Sequence, residues 1–486
     1  MHFLLITSYS FLKKFSGFAI AISSIFVLSL TLRFWGLERF NTLVFDEVYY
    51  AKFAVNYLNG TEVFDAHPPL GKYIIAVGIW LSQLFAFQNT NDLTGQVLSP
   101  ISYRWMNALV GSCIPIVVAG IAYQLSDRRS YAVLAGFFCA IDGFFLVESR
   151  YALINIYLVF FGLLGQWLFL ISLRLKNDRK ALISIGAGIC FGASVSVKWN
   201  GLGFLLGIYL VYSIARLVKY LDLKENITIE ANLKKSWFKN IANLKLIHLV
   251  LNLAFIPAII YLLIWIPHLQ LNPTETFWSV HQKILSYHQT GVGTGAQVHP
   301  YCSRWYTWPL MLRPMSYFYD RSTQNDIHSI LPPLPTYFNE GIYDVHLMGN
   351  PILWWLSGGA ISILILWGLT EVLPSVFSSR SQLSRANSFL IPLYLLTNYF
   401  ANFLPWILVR RCTFIYLYMS AFIFSILAFS WLVDRWLNCD RLSHKIWAMS
   451  TILISVFAFI FWLPVYLGLP LSIEQFNLRM LLKSWI

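Results

Sequence analysis

Eleven stretches of about 20 mostly apolar residues run through this chain, near 18–35, 105–124, 131–147, 151–171, 182–197, 200–215, 246–267, 351–370, 387–405, 412–432 and 447–466. No other feature narrows its fold as far. Inside a lipid bilayer every backbone polar group has to be satisfied within the segment, so stretches of this length are read as transmembrane helices. Composition agrees. Only 12% of the 486 residues are charged and 57% are hydrophobic, against about 25% charged in a soluble domain. Disordered, collagen-like and disulfide-scaffold classes are excluded by the same figures. The expectation is an all-α polytopic membrane protein. The first stretch is not a cleaved signal, because Arg33-Phe34-Trp35 closes it without a small-residue cleavage site.

Charge sets the orientation. With the N-terminus in the cytoplasm, the inside segments hold 20 of the 35 Lys and Arg but 8 of the 22 acids, as the positive-inside rule requires. The heaviest is 216–245. Counting the shorter run 73–87 as a further span would turn most basic loops outward, so it is read as an interfacial helix. The net charge of +13 then reports cytoplasmic loops, and no nucleic-acid partner is expected. Two large segments, 36–104 and 268–350, face the other side and carry seven of the ten histidines. The six cysteines form no CxxC pair and most lie in apolar runs, which supports neither a disulfide framework nor a zinc site.

Several motifs on that outer side bear chemistry. Asp46-Glu47 follows the first span, and His67-Pro68-Pro69-Leu70-Gly71-Lys72 comes about twenty residues later. Then follow Ser102-Tyr103-Arg104-Trp105, Asp142-Gly143 with Glu148-Ser149-Arg150, and Val197-Lys198-Trp199-Asn200-Gly201. His299-Pro300-Tyr301-Cys302 through Leu310, Gly349-Asn350-Pro351, and Leu404-Pro405-Trp406 with Arg411-Cys412-Thr413-Phe414 complete the order. In combination these resemble the protein O-mannosyltransferase family of GT-C membrane glycosyltransferases. Two positions depart from the family pattern: Tyr49, where His is frequent, and Leu417, where Tyr-His-Tyr is frequent. The 268–350 segment is too short for the β-trefoil domain of eukaryotic members, so the resemblance is to a bacterial-type member.

The resemblance implies a single GT-C domain over 1–486. Its reaction would move mannose or a similar hexose from a polyprenyl-phosphate donor to Ser/Thr hydroxyls of proteins on the extracytoplasmic side of a bacterial plasma membrane, with inversion. A hydroxyl nucleophile benefits from a carboxylate base, whereas a phosphate leaving group needs fixed positive charge. Asp46 is assigned as the base, with Glu47 the runner-up and otherwise a positioning group. Arg104, Lys198 and Arg411 are assigned to the donor phosphate, Arg104 foremost because guanidinium binds phosphate bidentately. His67 and Lys72 are read as substrate-binding or loop-ordering residues. Glu148 and Arg150 are expected to pair with each other, and Asp142 to order the outer loops. Membrane lipids are partners, the lipid-linked sugar is a substrate, no cofactor is expected, and a divalent metal is not expected but not excluded. A GT-C enzyme acting on a lipid or glycan stays open as an alternative, as does a secondary transporter.

Overall fold

The computed structural model describes residues 2–225, 237–291, 293, 298–324, 330–372 and 388–486. The helices in chain order are α1 (His2–Phe34), α2 (Glu47–Leu58), α3 (Leu70–Ser82), α4 (Pro100–Ser126), α5 (Arg129–Ala140), α6 (Gly143–Arg150), α7 (Asn155–Ser172), α8 (Asn177–Val197) and α9 (Leu202–Glu225). They continue with α10 (Trp237–Ala242), α11 (Leu246–Val250), α12 (Ile256–Leu271) and α13 (Phe277–Ser286). A hairpin, β1 (Met315–Thr323) and β2 (Glu340–Leu347), precedes α14 (Pro351–Trp367), α15 (Leu390–Phe403), α16 (Met419–Leu437), α17 (Leu442–Leu467) and α18 (Ile473–Arg479). Residues 226–236 of the basic segment 216–245, Lys234 and Lys235 included, lie outside the described residues.

Among the described residues nine helices are long and apolar enough to cross a membrane, or ten if the pair α5 and α6, bent by 57°, is one span. The eleventh expected run, 387–405, contains α15, whose 14 residues reach about 21 Å. The expected interfacial helix is α3, whose 13 residues reach about 20 Å, short of the ~30 Å hydrocarbon core. The span expected at 105–124 starts earlier, at Pro100, which suits the first turn because the missing N–H has no helical partner there. Arg104 is therefore inside a helix rather than ahead of one.

The centre of the bundle is α16, with every residue from Met419 to Asp434 buried. A helix that is apolar on all sides belongs in such a position. Around it pack α5, α14, α15 and α17. Polar side chains hold helices together where apolar contact gives little preference over lipid: Gln166 of α7 donates to Asn398 of α15 at 2.5 Å and accepts from Tyr394 at 2.9 Å.

The hairpin is antiparallel, with Met315 opposite Leu347 and Thr323 opposite Glu340. Its register slips between Ser316 and Phe318, leaving Tyr317 as an extra residue. Such bulges re-aim a side chain, and here Tyr317 turns inward and is buried against the bundle. The sequence expectation of no disulfide is corrected. Cys302 and Cys412 are bonded, with Cα atoms 5.3 Å apart across 110 residues. The partners sit in loops that meet only in the fold, where Ser303 N–H donates to Thr413 O at 2.8 Å and Thr413 Oγ1 donates to Ser303 O at 2.5 Å. Sequence spacing carries no sign of that meeting.

Candidate active site

Adjacent carboxylates at the start of α2 have opposite surroundings. Glu47 is fully buried and accepts four hydrogen bonds: Arg104 Nε at 2.9 Å and Ala152 N at 2.8 Å on Oε1, Arg104 Nη2 at 2.7 Å and Val44 N at 2.8 Å on Oε2. Arg104, also fully buried, spends its remaining donors on the carbonyls of Leu37, Phe40 and Thr42. This corrects two expectations. All five guanidinium N–H groups of Arg104 are committed, so it does not bind a donor phosphate. Both oxygens of Glu47 are filled, so it does not serve as a base. Together they clamp the loop 37–47 onto α4 and onto the segment after α6.

Asp46 is half-buried and its carboxylate accepts no capping hydrogen bond although it occupies the N-cap of α2. The residue before it, Phe45, has φ +52°, a left-handed backbone that costs a non-glycine residue of order 1–3 kcal/mol. Phe45 is held there by Tyr317, whose ring stacks on it with centroids 4.1 Å apart and planes 6° from parallel. Burial pushes the Asp46 carboxyl up to about 6, Lys198 pulls it down and Asp65 adds to the rise. A carboxylate tuned toward neutral pH and without a hydrogen-bond partner among the described residues is the form a general base takes.

Lys198, which bears on Asp46 electrostatically, lines a cavity of about 490 Å³ whose other walls include His67, His288, Trp406, Arg410 and Arg411; Asp46 itself is not in the lining. Lys198 occupies the break between α8 and α9, where it is buried, donates to Asn155 Oδ1 at 2.7 Å and lies 5.2 Å from the Tyr416 ring centre. Burial lowers its ammonium to about 8, with Asp46, Glu148 and Asp65 opposing and Arg411 assisting the fall. Burial and the nearby cations Lys198 and Lys72 hold His67 well below the usual histidine range. Its ring lies 5.4 Å from that of His288, which binds Ala66 O at 2.9 Å. Among the described residues none of Lys198, Arg410 and Arg411 has an ion-pair partner. Three cations gathered around one cavity repel each other and favour an anion between them.

The other expected residues lie around this centre. Lys72 is buried, ion-paired to Asp65 and donating to His67 O at 2.8 Å, which fixes the 65–72 turn. The expected Glu148–Arg150 pair does not exist. Residues two apart on a helix do not face each other: Arg150 caps the end of α1 through the carbonyls of Leu32, Arg33, Trp35 and Gly36, while Glu148 takes hydrogen bonds from Tyr317 and Asn155. Asp142 caps α6 at the 57° break through the N–H groups of Phe144 and Phe145 and accepts from Asn350 N at 3.0 Å. Asn155, Tyr317, His288 and Arg410 were not singled out by sequence. Arg410 could have been, as the neighbour of Arg411, and His288 as one of the outer histidines; nothing local marks Asn155 or Tyr317. No group of three or more His, Cys, Asp or Glu placed to hold a metal occurs among the described residues.

Comparison with known proteins adds identity to this geometry. Residues 23–272 match the family model for dolichyl-phosphate-mannose-protein mannosyltransferase, and 273–485 match the C-terminal four-helix transmembrane region of protein O-mannosyltransferase. The chain is 24% identical over 459 residues to the polyprenol-phosphate-mannose–protein mannosyltransferase of Corynebacterium glutamicum, covering 82% of this chain and 78% of that protein. It is 23% identical over 514 residues to the Mycobacterium tuberculosis protein of the same name, covering 93% and 88%. Among solved structures, the S. cerevisiae protein O-mannosyltransferase complex bound to the sugar donor matches with TM-score 0.78 at 16% identity, over 97% of this chain and 93% of that one. An archaeal oligosaccharyltransferase from Archaeoglobus fulgidus matches with TM-score 0.52 at 12% identity, over 94% and 56%.

Proposed function

The chain belongs to the dolichyl-phosphate-mannose-protein mannosyltransferase family, and from that premise we propose that it transfers mannose from a polyprenyl-phosphate carrier to Ser or Thr hydroxyls of proteins. Its GT-C fold suits such a transfer, because the spans hold a lipid-linked donor in the membrane while the loops at one end receive a polar acceptor. The observation that carries the reading is the Asp46 carboxylate, without a hydrogen-bond partner among the described residues and under the field of Lys198, which walls a cavity together with Arg410 and Arg411.

The step follows from those groups. Asp46 takes the proton from the acceptor hydroxyl as its oxygen bonds to the anomeric carbon. The bond from that carbon to the phosphate oxygen breaks, and the electron pair leaves with the polyprenyl phosphate. Lys198 and Arg411 hold the phosphate's charge, a stabilisation that grows where water is excluded. Because the phosphate leaves as an anion, no general acid is needed. One carboxylate on the side opposite the leaving group gives inversion, unlike the carboxylate pair of most glycoside hydrolases.

The outer face of a bacterial plasma membrane is the proposed site of reaction. Two independent features support it: the basic loops gather on the side opposite Asp46, and the Cys302–Cys412 bond beside Arg411 suits an oxidising compartment. The test is transfer from radiolabelled polyprenyl-phosphate-mannose to a Ser/Thr-rich peptide by the purified protein in lipid. Wild type is expected to label the peptide, and Asp46→Asn to lose about 10²-fold or more, the range of a positioned base, while still binding donor. A folded wild type that binds donor but labels no peptide would refute the acceptor assignment.

A further inference from the structure

Glu148 is a buried carboxylate within reach of the donor end that the transfer step does not use. Its Oε1 accepts hydrogen bonds from Tyr317 OH at 2.6 Å and from Asn155 Nδ2 at 3.1 Å. Asn155 Oδ1 in turn accepts from Lys198 Nζ at 2.7 Å. An ammonium only donates, so the amide turns its oxygen toward Lys198 and its NH2 toward the acceptor at 148. A side chain at 148 that cannot accept would leave that NH2 without its partner and the amide free to swing away from the ammonium.

Among the described residues Glu148 Oε2 is buried with no partner, an arrangement that disfavours folding. A methionine would fill much the same space with no buried polar oxygen, so packing alone does not call for an acceptor here. The groups that bear on Lys198 from the surrounding elements are Asp46 at the start of α2, Asp65 in the loop before α3, Glu148 on α6 and Arg411 before α16. None of them is within ion-pair distance of it among the described residues, and the hydrogen bond to Asn155 is its one polar side-chain contact there.

We propose that Glu148 is a positioning residue for the donor phosphate: acting through Asn155, it fixes the direction in which Lys198 presents its ammonium to the cavity. Tyr317 completes the device by tying Glu148 to the bulge of the outer hairpin. The inference rests on the reading of Lys198 as a donor-phosphate ligand.

Initial-rate kinetics in proteoliposomes, with polyprenyl-phosphate-mannose and a Ser/Thr-rich peptide, test it on four proteins: wild type, Glu148→Met, Glu148→Gln and Lys198→Met. Glu148→Met, which cannot accept, is expected to raise the donor KM roughly tenfold, the equivalent of one hydrogen bond, with acceptor KM unchanged. Glu148→Gln, whose amide oxygen can take the place of Oε1 and accept from both Tyr317 and Asn155, is expected to keep the donor KM within about twofold of wild type. A donor KM unmoved by Glu148→Met, or raised as far by Glu148→Gln, overturns the proposal. So does a loss that falls equally on donor and acceptor KM, as a merely structural role predicts. Should Glu148→Met fail to fold, Asn155→Leu, which cuts the same relay, decides in its place: a raised donor KM with acceptor KM unchanged supports the proposal and an unmoved one overturns it. Lys198→Met separates the two layers. If it leaves the donor KM unchanged, the phosphate reading of Lys198 falls and the proposal with it; if it raises the donor KM while Glu148→Met does not, only the proposal falls.

Discussion

Neutralising either of two neighbouring carboxylates is expected to give opposite outcomes. In Glu47→Gln the amide oxygen can replace Oε1 and keep the hydrogen bonds from Arg104 Nε and Ala152 N. Its NH2 then faces two donors, Arg104 Nη2 and Val44 N, where Oε2 accepted at 2.7 and 2.8 Å. Two hydrogen bonds are lost, donors oppose donors, and a fully buried guanidinium is left without its counter-charge. Breaking a buried pair in this way costs about 3–5 kcal/mol. Asp46→Asn removes no hydrogen bond to the side chain from the described residues, and since burial disfavours the charged form of Asp46, stability is expected to hold or rise slightly. Tryptophan-fluorescence melting in detergent, run beside the transfer assay, reads both effects. Glu47→Gln should melt several degrees early; Asp46→Asn should melt with wild type and lose about 10²-fold or more of its transfer rate. A Glu47→Gln protein that melts within a degree of wild type yet loses transfer would refute the clamp reading and return Glu47 to the chemistry.

Three further outcomes are expected. The pH profile of kcat/KM should rise through about 6, where the raised Asp46 carboxyl loses its proton, and fall above about 8, where the lowered Lys198 ammonium loses its own; a rising limb in the ordinary carboxylate range near 4 would contradict the base assignment. Replacing both cysteines of the Cys302–Cys412 bond by serine should release the segment that carries Arg411 and raise the donor KM several-fold, with acceptor KM unchanged as the control. Gly188→Ala should destabilise the bundle by about 1–3 kcal/mol, read by melting temperature, because a Cβ there would stand 2.1 Å from the carbonyl oxygen of Asn252.

The legible part of this protein in its sequence is the part written in local pattern. Apolar runs mark the spans because lipid leaves a helix no alternative, and Asp46 can be picked out beside the first of them. What stays hidden depends on partners far along the chain. Arg104 reads as a phosphate ligand because guanidinium suits phosphate, yet it meets a carboxylate 57 residues away, and the same fork geometry serves either anion. Glu148 and Arg150 read as a pair because they are near in sequence, but a helix turns them to different faces. Tyr317 reaches the site only because of a bulge in a hairpin, and bulges leave no mark in an isolated strand sequence.

Short α6 is gripped by the outer hairpin at two places: Tyr317 of β1 holds Glu148, and Asn350, just past β2, holds Asp142. A shift of either strand draws on the helix that carries Glu148. If Glu148 positions Lys198 as proposed, the loops above the membrane and the phosphate end of the donor cavity are energetically coupled. A ligand that binds one position of the hairpin in preference to another then changes donor affinity, and linkage requires that donor change the affinity of that ligand by the same factor.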